Sequence, residues 1–164
     1  MLDNLFSTIA PHPCCSCGEI GAVLCDNCKY DISLEYFESC VACGAPAPST
    51  GVCKTCIIPY SRAWCVGERS GVLREVIDSY KFYNNYAAHK VLASLLSECI
   101  GNLPADCVVV PVPTVGSHIR QRGYDHTRLI AKRLAKLQGV KAKSLLYRQT
   151  TTTQRGHGRE DRVA

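Results

Sequence analysis

Four C-x2-C pairs crowded into the first 56 residues constrain this chain more than any other feature. Cys14, Cys17, Cys25 and Cys28 read C-x2-C-x7-C-x2-C, and Cys40, Cys43, Cys53 and Cys56 read C-x2-C-x9-C-x2-C. Each tight C-x2-C turn aims two thiolates at one point, so two pairs supply the tetrahedral set that zinc takes. Gly18 and Gly44 directly follow the second cysteine of a pair, where positive φ and close backbone approach to sulfur are needed. A thioredoxin-like redox site needs one such pair at a helix start and does not account for four. Two zincs are therefore expected, one per foursome. The short loops favour sequential pairing, and a cross-braced arrangement stays open. Four thiolates leave no coordination position for water or substrate, which makes both sites structural. A module of about sixty residues is too small to hold a core without such a staple. Cys15, Cys65, Cys99 and Cys107 are left over and are expected to be small buried hydrophobes.

The remaining composition says where such a chain operates. A disulfide scaffold would need an oxidising compartment. Met1–Pro13 has no basic start and carries Asp3, Asn4 and Ser7 in its apolar stretch, which makes a poor signal peptide. No apolar run approaches the roughly 20 residues of a membrane span. A cytoplasmic protein without membrane insertion is expected. Leu2, Leu5, Phe6 and Ile9 recur at helical spacing and predict a short N-terminal helix. Charge divides the chain. Residues 1–62 carry three basic side chains against six acidic ones, a net −3, and residues 63–164 carry sixteen against eight, a net +8. The excess lies after Val115 and suits an anionic partner, either a phosphorylated small molecule or nucleic acid. Two domains are expected, a zinc module over 1–62 and an α/β unit over 63–164. The junction is expected at Ile57–Arg62, and loss of either zinc is expected to leave the second domain folded.

In the basic part, Ala63–Arg69 reads as a strand and Val72–Phe82 as a helix with Val72, Leu73, Val76, Ile77 and Tyr80 on its apolar face. Ala87–Ile100 is a second helix burying Ala88, Val91, Leu92, Leu95 and Cys99, and Gly101 ends it. Cys107–Val112 is apolar and mostly β-branched, a buried strand closed by Pro111 and Pro113. Thr114–Gly123 reads as a basic loop. Asp125 is the N-cap of a third helix, with Tyr124 and Leu129 as a hydrophobic staple. That helix runs to about Leu137, with Gly139 placed to stop it. Ile130, Leu134 and Leu137 share one of its faces, and Arg128, Lys132 and Lys136 another. Ser144–Tyr147 could open a further strand. A strand, a basic loop and an amphipathic helix begin an α/β unit, in which ligands sit at the carboxyl ends of the strands.

The run Val110-Pro111-Val112-Pro113, Arg120, Arg122-Gly123-Tyr124 and Leu129-Ile130-Ala131 resembles the ComF family, competence-associated bacterial proteins of the type I phosphoribosyltransferase fold. Asp125 and His126 stand where that family usually has Asn and Gln. The double zinc ribbon matches the family's N-terminal module, so the resemblance runs over nearly the whole chain. It implies a partial, Rossmann-like parallel-sheet domain after the ribbons, associated with DNA uptake or phosphoribosyl metabolism. Tyr80-Lys81-Phe82 is similar to the family's Leu-Lys-Tyr element, which makes Lys81 a ligand candidate. Arg148–Ala164 is similar to its mobile flap, with Gln154 and Arg162 at the matching positions, although the stretch also reads as a disordered basic tail. The resemblance implies that a pyrophosphate group lies near Pro113–Gly123, held by Arg120, Arg122 and the loop amides through Gly123. Guanidinium forks suit phosphate oxygens. Asp125, as a cap, would compete with an anion at the helix terminus itself.

The same family carries a second signature, an apolar strand, two acids and a Thr/Gly-rich loop, that holds the ribose 5′-phosphate. Glu160-Asp161 is the only adjacent acidic pair in this chain and is followed by Arg-Val-Ala. The sequence thus reads as stopping before that half of the site, catalytically incomplete, with magnesium and phosphoribosyl pyrophosphate expected only for a longer chain. Two other readings stand beside a phosphoribosyl-compound binder. One is a single-stranded-DNA-binding protein acting through its basic part, where Tyr124 and Tyr147 are the aromatic platforms between 115 and 164. The other is a ribbon that recruits a partner such as a DNA-uptake helicase.

Overall fold

The computed structural model describes residues 11–34, 37–47 and 51–149. The expected N-terminal helix over Leu2–Ile9, and Gln154 and Arg162, lie outside the described residues. Among these residues five helices and two short strands follow in order: α1 (Asp26–Leu34), α2 (Gly71–Phe82), α3 (Ala88–Ile100), β1 (Val108–Val109), α4 (Gly116–Arg122), α5 (His126–Gln138) and β2 (Lys141–Ala142). β1 and β2 pair in parallel, with Val108 opposite Lys141 and Val109 opposite Ala142. The connection between them carries α4 and α5, as a parallel pair requires a crossover.

Helix boundaries follow local chemistry where that chemistry is strong. The Asp125 carboxylate accepts from the Arg128 backbone N–H at 3.2 Å, a direct N-cap for α5. Gly139 then adopts the left-handed conformation (φ 69°), and its N–H bonds the Ala135 carbonyl. Along α2, Leu73, Val76 and Tyr80 are buried; along α3, Ala88, His89, Leu92, Ala93 and Leu95. Both stripes follow the apolar period read from the sequence.

Several elements differ from the expectation. Thr114–Gly123 is not a loop throughout: Gly116–Arg122 is helical. No proline interrupts those seven residues, and Gly123 (φ 76°) ends them by donating its N–H to the Ile119 carbonyl at 2.8 Å. The strand expected over Cys107–Val112 shrinks to Val108–Val109, because Pro111 and Pro113 have no N–H for a ladder. Ser144–Tyr147 is not a strand, and Leu145, Leu146 and Tyr147 are exposed; the pairing falls earlier, at Lys141–Ala142. Ala63–Arg69 forms no ladder among the described residues. Tyr124 packs on Tyr80 and Tyr86. Leu137 and Cys99 are exposed rather than buried, and Cys15, Cys65 and Cys107 are half-buried.

The core draws on both sides of residue 62. Cys14, Val23, Leu24, Cys28 and Ile32 share one buried cluster with Leu73, Val76, Tyr80, Ala88, Leu92 and Leu95. Cys15 packs on this cluster, and its thiol donates to the Val23 carbonyl at 2.7 Å within the first cysteine unit. Lys29 on α1 also pairs with Glu98 on α3 at 2.6 Å, but both ends are exposed and such a pair contributes about 1 kcal/mol or less.

Candidate metal centres and a basic cluster

The two cysteine foursomes are built by the same backbone device. Each opens on an antiparallel bridge, Pro13 with Ile20 and Ser39 with Pro46. In the first, the Cys14 N–H donates to the Glu19 carbonyl at 2.7 Å and the Gly18 N–H to the Cys14 carbonyl at 3.0 Å. In the second, Cys40 donates to Ala45 at 2.7 Å and Gly44 to Cys40 at 2.8 Å. Gly18 and Gly44 have φ of 77° and 75°, the conformation their place in the motif predicted. The parallel extends to the second half of each unit: Cys15 donates to Val23, and Val41 to Gly51. Gly51 (φ 65°) admits no side chain, since a Cβ there would run into the Ala63 carbonyl oxygen.

This repeated backbone gathers Cys14, Cys17, Cys25 and Cys28 in one group and Cys40, Cys43, Cys53 and Cys56 in another. In each group the four Sγ atoms lie within 4.8 Å of one another, the sequential grouping. Cys17 and Cys25 sulfurs are 3.6 Å apart, and Cys43 and Cys53 sulfurs 3.7 Å. A tetrahedral site with Zn–S bonds of about 2.3 Å has sulfurs about 3.8 Å apart, so the groups have the right size. Their protonation chemistry points the same way. Burial opposes ionisation of Cys14, yet the backbone N–H groups of Cys25, Cys17 and Ser16 bring it down to about 6. In the other group the Thr55 hydroxyl and N–H bring Cys53 down to about 6, while the Cys53 and Cys43 sulfurs push Cys56 up to about 12. Backbone and hydroxyl donors thus favour thiolates, and close sulfurs resist sharing that charge. A bound cation resolves this conflict. Each group can hold one metal ion.

A second cluster lies where β1 leads into α4 and α5. The Arg122 Nε donates to the Lys81 carbonyl at 2.8 Å, and Arg122 Nη1 lies 3.1 Å from His126 Nδ1. Its guanidinium also sits over the Phe82 ring, 5.9 Å from the centroid. Arg122 is therefore engaged by α2 and α5, whereas Arg120 is exposed, its guanidinium beside Gly116. Gly123 serves the turn that joins α4 to α5. The sequence reading did not single out His126, Thr114 and Thr127 as site residues. Thr114 Oγ1 donates to Asp125 Oδ1 at 2.8 Å and lies 3.4 Å from His126 Nδ1. Thr127 reaches Asp125 at 2.9 Å and the Val112 carbonyl at 2.8 Å. Burial raises the Asp125 pKa, but the hydrogen bonds from Thr114, Thr127 and the Arg128 N–H outweigh it and hold the carboxyl below the usual range. His126 is pushed down to about 4 by burial, then by Arg122 and Lys81, with Asp125 opposing. Apart from the two cysteine groups, no cluster of three or more His, Cys, Asp or Glu side chains suited to a metal ion lies among the described residues. No helix among them is long and apolar enough to cross a membrane. No protein-family model, characterised protein or solved structure matches this chain.

Proposed function

We propose that this is a ComF-like protein with two structural zinc ions, binding the phosphate groups of a phosphoribosyl compound at the carboxyl end of β1. The observation that carries this reading is the basic cluster where β1 leads into α4 and α5, in which Arg122 Nε is fixed on the Lys81 carbonyl and its Nη1 lies 3.1 Å from His126 Nδ1. Burial first, then Arg122 and Lys81, hold the His126 pKa well below its ordinary value. Clustered cationic side chains of this kind attract an anion. The parallel β1–α4–α5–β2 unit supports the reading, since ligands of such units collect at strand carboxyl ends. Arg120 is the exposed donor on α4, and Arg122 is the oriented one. Turnover is not part of the proposal, because this fold also serves binding proteins. Metal analysis of the reduced protein should give two zincs per chain. Calorimetry with phosphoribosyl pyrophosphate, with and without magnesium, should show binding that weakens about tenfold or more in Arg120→Ala, the loss of one charge-assisted hydrogen bond. No binding at millimolar ligand, or an Arg120→Ala protein that binds as well, overturns it.

A second reading, single-stranded nucleic acid, is favoured by aromatic side chains that the sequence reading had not counted. Tyr124 is no platform, because it is packed between Tyr80 and Tyr86 with ring centroids 5.3 and 5.4 Å away. Instead Phe82 at the end of α2 and Tyr83 and Tyr86 just after it are 48%, 78% and 50% exposed and follow Lys81. Stacking there would add to phosphate contacts from the basic cluster. Oligonucleotide affinity should then drop in Tyr83→Ala by a factor of about five to one hundred, as loss of one stacked base predicts, and fall steeply with salt. Salt-independent binding, or an unaffected Tyr83→Ala protein, would exclude this reading.

A further inference from the structure

We propose that His126 couples anion binding at this cluster to proton uptake, so that the site binds its anion more tightly as pH falls. The proposal rests on the phosphate-binding reading and adds to it a titrating group and a direction. Its basis is geometric. Arg122 Nη1, a donor at every accessible pH, lies 3.1 Å from His126 Nδ1. A donor there requires Nδ1 to be the acceptor, so the imidazole is neutral and carries its proton on Nε2. Thr114 Oγ1 lies 3.4 Å from the same nitrogen, but its proton is directed to Asp125 Oδ1 at 2.8 Å.

The groups facing the ring come from every element around it. Lys81 on α2 and Arg122 and His118 on α4 act against a charge on His126, and Asp125 beside it acts in favour. Tyr80 on α2 takes no part in the titration, since its hydroxyl donates to the His126 backbone carbonyl at 2.9 Å. Burial first, and then this net positive balance, keep the ring neutral. A dianion arriving at Arg120 and Arg122 reverses that balance. His126 can then accept a proton at Nδ1, which ends its role as acceptor and turns the ring into a donor towards Thr114 Oγ1 or the anion. The Arg122 Nη1 hydrogen released by this change becomes available to the ligand, while Nε keeps its bond to the Lys81 carbonyl. One proton therefore adds a charge and frees a donor at the same place. By linkage, whatever affinity the proton adds for the anion, the anion adds for the proton.

Sulfate is the clean probe, because it remains a dianion throughout the working range whereas phosphates take up protons themselves. In protein labelled at histidine, the His126 ring resonances should report the Nε2–H tautomer without ligand. Saturating sulfate should raise the His126 titration midpoint by about one pH unit or more, a shift of the size that a neighbouring charge produces. Because the ligand-free midpoint lies near 4, sulfate affinity should be flat above about pH 6 and rise as pH falls from about 6 to 4, by a total of about tenfold for each unit of midpoint shift. His126→Gln, which keeps an acceptor and a donor but cannot titrate, should bind sulfate with a flat pH profile. A midpoint unmoved by saturating sulfate, or the same slope in His126→Gln, overturns the proposal while leaving phosphate binding intact. Absence of sulfate and phosphoribosyl binding at every pH removes the phosphate reading and this proposal together. The midpoint measurement uses the unaltered protein, so it decides the matter even if His126→Gln does not fold.

Discussion

Replacing Cys17 with Ser is expected to unfold the packed helices α2 and α3 along with the first cysteine group, whereas Cys43→Ser should leave those helices standing. Cys17 and Cys43 are equivalent in motif and both are exposed, so neither change removes core packing directly. What differs is the neighbourhood of the metal each would release. Cys14 and Cys28 of the first group are buried in the cluster that holds Leu73, Val76, Tyr80, Leu92 and Leu95. No residue of the second group belongs to that cluster among the described residues, and Gly51 places it against Ala63 at the edge. A structural zinc contributes roughly 10–16 kcal/mol of binding free energy, as much as or more than the roughly 5–15 kcal/mol that keeps a typical domain folded. Losing the first ion should therefore cost the shared core its cooperativity, and losing the second only its own loops. Amide hydrogen exchange on α2 and α3, with zinc counted by mass spectrometry, distinguishes the two. Equal protection of those helices in both variants, each with one zinc fewer, would show that the two parts fold independently. That outcome, which the charge and motif pattern alone suggested, conflicts with the packing of Val23, Leu24 and Ile32 against α2 and α3.

The difference between those two expectations shows what a sequence of this kind discloses. The cysteine groups were legible because a metal site is written in short spacings, and Gly18 and Gly44 add a local signal. Helices α2, α3 and α5 were legible for a similar reason: apolar period, the Asp125 cap and the Gly139 stop all act within a few residues. Contacts between distant segments left no such trace. The bonds joining Arg122 to Lys81 and Tyr80 to His126 span 41 and 46 residues. His126 read as a departure from a family pattern, and its role emerges only with Arg122 beside it. Helix α4 was missed because glycine and paired arginines suggested a loop, while Gly116 in fact opens the seven helical residues and Gly123 caps them. Strand lengths were overread since β-branched runs mark what can pair, and the partner decides what does.

Tyr80 offers the second large effect, because it joins the core to the basic cluster. It is 1% exposed, stacks on Tyr124 at 5.3 Å and donates its hydroxyl to the His126 carbonyl at 2.9 Å. The Tyr124 hydroxyl returns a bond to the Tyr80 carbonyl, so α2 and the α4–α5 turn are tied in both directions. Tyr80→Ala removes a buried ring and leaves a cavity, at a cost of about 3–5 kcal/mol, the range for large aromatic truncations. Tyr80→Phe keeps the ring and removes only the hydroxyl bond, which should cost about 1 kcal/mol. Urea midpoints at unchanged slope should fall in that order. The site should respond differently from the fold. In Tyr80→Phe the α2 backbone still presents the Lys81 carbonyl to Arg122, so anion affinity should change little. In Tyr80→Ala the end of α2 loses the contacts that set it against Tyr124, and Arg122 loses a fixed acceptor. Sulfate affinity should then fall even under conditions where circular dichroism shows the helices retained. If Tyr80→Ala left both stability and anion affinity near those of the unaltered protein, neither the shared core nor the orientation of Arg122 would depend on α2 in the way the packing implies.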